Sequence, residues 1–106
     1  DLGGREARKN SKLVASAPVV AVLSTETDDR RAQVHTGRAF ERLALAAAAE
    51  GIAVHPMSQT LERPDTREEL AELAGVDGRP QHLFRLGYAD EAPEHPPRWP
   101  VEAVLA

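Results

Sequence analysis

The sequence predicts an α+β fold, and three stretches carry that reading. Ala17 to Leu23 is a β-branched apolar run that reads as a strand. Thr27 to Glu50 is a long, alanine-rich stretch with helical start and stop signals. Gln81 to Tyr88 alternates apolar and polar residues and reads as a second strand. A polar loop and a shorter helix lie between the long helix and the second strand. The expected organisation is a charged lead-in over 1–16, a strand-helix-loop-helix-strand core over 17–91, and a proline-rich C-terminal tail over 92–106.

Composition narrows the function classes. A chain of 106 residues with 42% hydrophobic content suffices for one small globular domain. A net charge of -4 and the lack of a clustered basic patch argue against nucleic acid as the main partner. The absence of cysteine removes both a disulfide framework and a thiolate metal site. No apolar run reaches membrane-spanning length and no signal-peptide pattern is present, so a cytoplasmic protein without membrane association is expected. The first residue is Asp1 rather than Met, and the chain is expected to be the C-terminal part of something longer.

In chain order, residues 1–12 mix Arg5, Arg8, Lys9 and Lys12 with Asp1 and Glu6. They read as a solvated loop or a helix end, a commoner outcome for a charge run than a phosphate site. In the first strand, Pro18 suits the start, where a missing N–H does least harm, and the unbroken apolar run predicts burial on both faces. The long helix follows, with Thr27 or Asp28 as the expected cap, and Asp28 and Asp29 placed where the helix dipole favours negative charge. Phe40, Leu43, Ala44 and Ala47 form one apolar stripe, while Leu45, Ala46, Ala48 and Ala49 cover most of the rest. A helix apolar nearly all round is expected to be buried on several sides, under a sheet or against a partner subunit. Gly51 can close it in the left-handed conformation.

A short apolar extension, Ile52 to Val54, then leads into a polar loop running from His55 to Gln59. Asp65 to Ala74 reads as the second helix, with Asp65 as cap, Glu68 as the paired acid, an apolar face of Leu70, Leu73 and Ala74, and Gly75 as the stop. Asp77-Gly78 is a turn signal. In the second strand Phe84, Leu86 and Tyr88 share one face and Leu83 and Arg85 the other, with Gly87 marking a bulge or a close approach. Prolines keep Ala92 to Pro100 extended, and Val101 to Ala106 reads as a helical turn or an arm reaching a partner.

The residues taken singly reveal no self-contained active site. His35, His55, His82 and His95 match no helical zinc spacing, so metal binding is not expected. His55 alone merits interest, because it lies in the loop after the long helix. Gly3-Gly4 lacks the strand-turn-helix setting of a phosphate loop, and neither Ser24 nor Ser58 sits in a nucleophile elbow. Asp28-Asp29 and Glu68-Glu69 lie at helix N-termini, where capping explains them.

Five segments taken in order carry more. They are Val22 to Arg30, Gly37 to Leu43, Gly51 to Gln59, Arg85 to Ala89 and Pro97 to Leu105. Together they resemble the nitroreductase-like flavoprotein family, most nearly its actinobacterial, dormancy-associated branch. The likeness runs from about Gly3 onward and corresponds to the C-terminal portion of a family member's α/β/α sandwich with a buried central helix. The resemblance implies an FMN-dependent NAD(P)H oxidoreductase acting as a homodimer, with the flavin at the dimer interface. It implies hydride transfer from NAD(P)H (NADH or NADPH) to the flavin and electron transfer onward to a small-molecule acceptor such as a nitroaromatic or quinone. It also implies that Pro56, Met57, Ser58 and Gln59 pass along the isoalloxazine ring with backbone N–H groups facing its edge. Arg98 matches the family's C-terminal basic residue on the FMN phosphate, a role that suits a guanidinium. The family's Arg-Ser-rich phosphate motif has no counterpart here. Alternatives to the enzyme are a non-enzymatic flavin-binding or storage protein and an inactive truncated fragment.

Overall fold

The computed structural model describes residues 19–90 and 94–105. Over these the order is β1 (Val19–Thr25), α1 (Arg30–Ala49), β2 (Ala53–Pro56), a 3-10 turn (Gln59–Leu61), α2 (Pro64–Ala74), β3 (Arg79–Gly87) and α3 (Val101–Val104). The α+β class stands. The lead-in, Ala17, Pro18, residues 91–93 and Ala106 lie outside the described residues.

The three strands form one antiparallel sheet in the order β1-β3-β2. β3 is therefore the centre, and the last strand in sequence holds the other two together. The pairing Ala21↔Phe84↔Pro56 sets the register. Because side chains alternate across a strand, His82, Phe84 and Leu86 share the face that α1 covers, with Leu83 and Arg85 opposite. Phe84 is fully buried, and its ring meets that of Phe40 edge-on at 5.0 Å between centroids. Edge-to-face pairs of this kind add roughly 0.5–1.5 kcal/mol beyond area burial.

β1 departs from expectation. Among the described residues it is an edge strand with a single neighbour, and Val19 and Val20, on opposite faces, are both exposed. Unbroken apolar runs arise in strands covered on both faces, but among the described residues the first two positions of β1 are left open on both. The pairing with β3 slips between Leu23 and Ser24, so that Leu23 faces His82, Ser24 faces Pro80, and Gln81 has no partner across the ladder. Pro80 contributes no N–H and tolerates a place beside this bulge. Gly78 lies so close to β1 that a Cβ there would run into the carbonyl oxygen of Thr25, which explains the Asp77-Gly78 turn.

α1 begins one residue later than read from sequence. Asp29 is the cap, its Oδ1 accepting the Ala32 N–H at 2.8 Å, while Thr27 and Asp28 are left for other bonds. The helix ends as expected. Gly51 has φ +73°, the Ile52 N–H reaches the Ala47 carbonyl at 2.8 Å, and the Gly51 N–H reaches that of Ala48 at 3.1 Å. This paired closure satisfies carbonyls that the helix leaves open. The stripe Phe40, Leu43, Ala44 and Ala47 does face inward. The wider burial does not follow. Ala46, Ala48 and Ala49 are exposed, and Leu45 is 62% exposed, because the sheet reaches only one side of the helix.

α2 also starts differently. Pro64 is its first residue, Arg63 is the extended cap and Asp65 lies inside the first turn, so Asp65 is not the cap. Proline favours the first helical position and forces the residue before it out of the helical region. Leu73 is exposed rather than packed, and Gly75 closes the helix at φ +69°. β3 ends at Gly87 with its pairing to Ala53 intact, so the bulge lies at Gln81 and not at Gly87, and Tyr88 stands exposed beyond the strand. The described tail, residues 94–105, is exposed throughout. α3 occupies a single turn of it.

Candidate functional site

The segment after α1 folds as a strand and a turn. Ala53–Pro56 pairs with β3, so His55 and Pro56 lie in a strand and not in a loop. A proline is tolerated there because β2 is an edge strand. The Met57 N–H then donates to the Leu83 carbonyl at 2.8 Å and extends the attachment by one residue. Ser58 leads into the 3-10 turn, where the Leu61 N–H closes on the Ser58 carbonyl at 3.0 Å and the Glu62 N–H on that of Gln59 at 3.2 Å.

These bonds sort the turn's donors. Pro56 has no N–H, and that of Met57 is consumed by Leu83. Among the described residues the Ser58 N–H has no acceptor, and Ser58 is exposed. An unspent backbone donor on an exposed residue is suited to a heteroaromatic ring edge or a carbonyl acceptor. A flavin ring edge therefore fits this turn at Ser58.

Two side-chain bonds brace the turn. On the strand side, the Arg85 Nε donates to the His55 Nδ1 at 2.9 Å across the β3–β2 pair. On the helix side, the Thr66 hydroxyl donates to the Thr60 carbonyl at 2.6 Å. Thr66 carries no motif and is invisible in the sequence. Its only cue is a place just inside a helix that Pro64 begins.

A second polar cluster lies at the same end of β3 as the turn, held by the residue next to Thr66 on α2. The Arg67 Nε donates to the Pro80 carbonyl at 2.7 Å, and its two Nη groups fork onto the Asp28 carboxylate at 2.8 and 3.1 Å. The bulge frees Gln81 to donate to both the Thr25 hydroxyl and Asp28, each at 3.0 Å. The Thr25 hydroxyl in turn donates to the Thr27 carbonyl at 2.6 Å. The hydrogen bonds from Arg67, and then from Gln81, hold the Asp28 carboxyl far below the usual carboxylate range. Asp28 is thus a tie between α1, α2 and β3 rather than a cap. Beside it, an open cavity of about 670 Å³ is bordered by Arg67, Glu72, Asp77 and Arg79.

His82 sits in the α1-facing core, edge-on to Phe40 at 4.2 Å between centroids. Burial pushes its imidazole below the usual histidine range. Its Nε2 is buried without a hydrogen-bond partner among the described residues. Arg98 is exposed, and its Nη1 donates to the carbonyls of its own neighbours, Pro96 at 3.1 Å and Pro97 at 3.5 Å. The structure thus brings Pro56, Met57, Ser58 and Gln59 together, and it gives Arg98 bonds within the tail rather than to Pro56, Met57 or Ser58. No group of three or more His, Cys, Asp or Glu residues able to hold a metal ion occurs among the described residues.

The Nitroreductase family model matches residues 3–88. The chain belongs to the nitroreductase family. It is 39% identical over 97 residues to the Mycobacterium tuberculosis H37Rv protein named "Putative NAD(P)H nitroreductase Rv3131", covering 80% of this chain and 28% of that protein. A second relative from the same strain, "Putative NAD(P)H nitroreductase acg", is 33% identical over 89 residues, covering 81% of this chain and 27% of its own. An uncharacterized protein of that strain, Rv3127, is 29% identical over 100 residues, covering 92% of this chain and 29% of its own. The chain therefore spans little more than a quarter of the length of these relatives. The α+β architecture is consistent with that family. No described helix is long and apolar enough to cross a membrane.

Proposed function

We propose that this nitroreductase-family chain supplies the ring-facing turn of an FMN-dependent NAD(P)H oxidoreductase that works as a cytoplasmic homodimer. The observation that carries the reading is the N–H of exposed Ser58, which has no acceptor among the described residues and lies between the Met57–Leu83 bond and the 3-10 turn. Pro56 and Met57 shape the approach to the ring, Ser58 donates to its edge, and Gln59 starts the turn that fixes the Ser58 carbonyl. Arg98 is the phosphate ligand in this reading, and it exchanges its bonds to the Pro96 and Pro97 carbonyls for charge-assisted bonds to phosphate oxygens. Bound FMN supplies the two-electron chemistry, while the chain's residues bind and orient it. The electron donor is NAD(P)H, and the acceptor is a small molecule.

The test is a visible absorption spectrum of the purified chain after adding FMN and removing the excess. Retained, shifted flavin bands that bleach on titration with NADPH or NADH are expected. Ser58→Pro, which deletes the N–H, is expected to abolish retention. Bands that resist both reductants replace the enzyme by a flavin-storage protein. A colourless wild-type chain overturns the reading for these 106 residues and leaves the inactive fragment.

A further inference from the structure

The 3-10 turn ends for a reason written in the next residues. Pro64 forces Arg63 into extended backbone, φ -110° and ψ 132°, so the run of turn bonds stops with the Glu62 N–H on the Gln59 carbonyl. The next carbonyl in line, that of Thr60, would be left without a donor. The Thr66 hydroxyl takes that place from six residues ahead, at 2.6 Å in a half-buried setting. The same hydroxyl has a local alternative, the Arg63 carbonyl three residues back at 3.1 Å, which is the ordinary bond of a threonine in a first helical turn. A hydroxyl has one proton, and the shorter contact goes to the turn.

We propose that Thr66 is a positioning residue for the Ser58 donor. This rests on the proposed function, because it deepens the role of the same turn. The geometry is a clamp with two jaws. Leu83 holds the peptide on one side of Ser58 through the Met57 N–H, and the Leu61 N–H holds the carbonyl on the other side. Thr66 fixes Thr60, between Gln59 and Leu61, to the body of α2. With that bond in place, the Ser58 N–H is presented at one angle before any ligand arrives, and the ordering cost of binding falls. Without it the hydroxyl-free side chain leaves the Thr60 carbonyl to water, and the turn keeps only its packing against α2 and β3.

The test compares Thr66→Val, which keeps the shape and deletes the hydroxyl, with Thr66→Ser, which keeps the hydroxyl. Two readouts are taken on the whole chain: amide hydrogen exchange at Ser58, Leu61 and Glu62 without flavin, and FMN affinity from quenching of flavin fluorescence. For Thr66→Val, exchange at Leu61 and Glu62 rises and FMN affinity falls, each by on the order of five- to tenfold, as expected for one hydrogen bond. Thr66→Ser stays near wild type in both. Unchanged exchange in Thr66→Val, or equal loss in both variants, overturns the positioning role. Wild-type flavin retention with full retention by Thr66→Val overturns it too, while the flavin reading stands. If the wild type retains no flavin, the proposed function falls, and the claim about Ser58 as a ring donor falls with it; the exchange comparison then still decides whether Thr66 sets the turn.

Discussion

Two arginines mark a well-tied and a loosely tied region among the described residues. Arg67 spends its guanidinium on three long-range bonds, to Pro80 on β3 and to both oxygens of Asp28 ahead of α1. Arg98 spends its own on carbonyls one and two residues away, in a tail that is exposed throughout. Both are the same residue type in a chain with no charge cluster to mark either. The difference teaches that a guanidinium's role is set by what rigid partners surround it. Arg67 is committed to the fold, and Arg98 keeps its charge available to a ligand at little structural cost.

The largest expected effect comes from breaking the tied region at its core. Phe84→Ala removes the fully buried ring that meets Phe40 and leaves a cavity under α1. A loss of about 3–5 kcal/mol is expected in denaturant unfolding, enough to unfold most of the chain. Trp99→Ala, in the tail and 80% exposed, is expected to stay within about 0.5 kcal/mol of wild type. Similar losses from the two substitutions would mean that the tail is packed as tightly as the sheet.

Next comes the network itself. Arg67→Met keeps the aliphatic stem but strands the Pro80 carbonyl, and a loss of about 1–2 kcal/mol is expected from that bond. The ion pair with Asp28 adds little, since both side chains are partly exposed. Arg67→Lys is expected to recover only part of the loss. One ammonium cannot span Pro80 and both Asp28 oxygens as the fork does. Thermal unfolding of the three proteins ranks them, and equal stability of all three would show the network to be idle.

Acid titration separates the network from the core. Asp28 is depressed when folded, so its contribution is complete above the unfolded carboxylate value of about 3.9 and is lost as the pH falls below it. His82 is also depressed, here by burial. The unfolded chain therefore gains its proton first, and stability declines as the pH falls through about 6.5. The two signs agree, but the windows differ. A plot of Tm against pH should show a first decline near the histidine window and a second near the carboxylate window. His82→Leu is expected to remove the first and Asp28→Asn the second. A single decline that survives in both variants would break this assignment.

What could be read from sequence follows the range of the interaction that decides it. The inward stripe of α1 and the glycine stops at Gly51 and Gly75 are local and periodic, so they were legible. β2 was not, because a four-residue edge strand containing Ala53 and Pro56 carries neither length nor alternation. The width of α1's burial was overread, since alanines at Ala46, Ala48 and Ala49 signal helix propensity as well as packing. In the candidate site, residues 56–59 were marked by resemblance, but the sorting of their donors depends on Leu83, which is distant in sequence. Thr66 and Arg67 act across turns and strands, the latter over 39 residues, and no spacing rule reaches that far.

The smallest expected change in stability is also the sharpest use of the comparison. Arg98→Ala deletes two bonds to the exposed carbonyls of Pro96 and Pro97, which water replaces. The unfolding midpoint is expected to remain within about 0.5 kcal/mol of wild type. FMN retention is nonetheless expected to fall on the order of tenfold or more, because a phosphate loses a charge-assisted partner. Riboflavin, which has the ring and no phosphate, is expected to bind both proteins alike. That contrast isolates the phosphate from the ring-facing turn. If the variant lost FMN and riboflavin equally, Arg98 would be acting through the turn's conformation, and the division between committed and available arginine would fail.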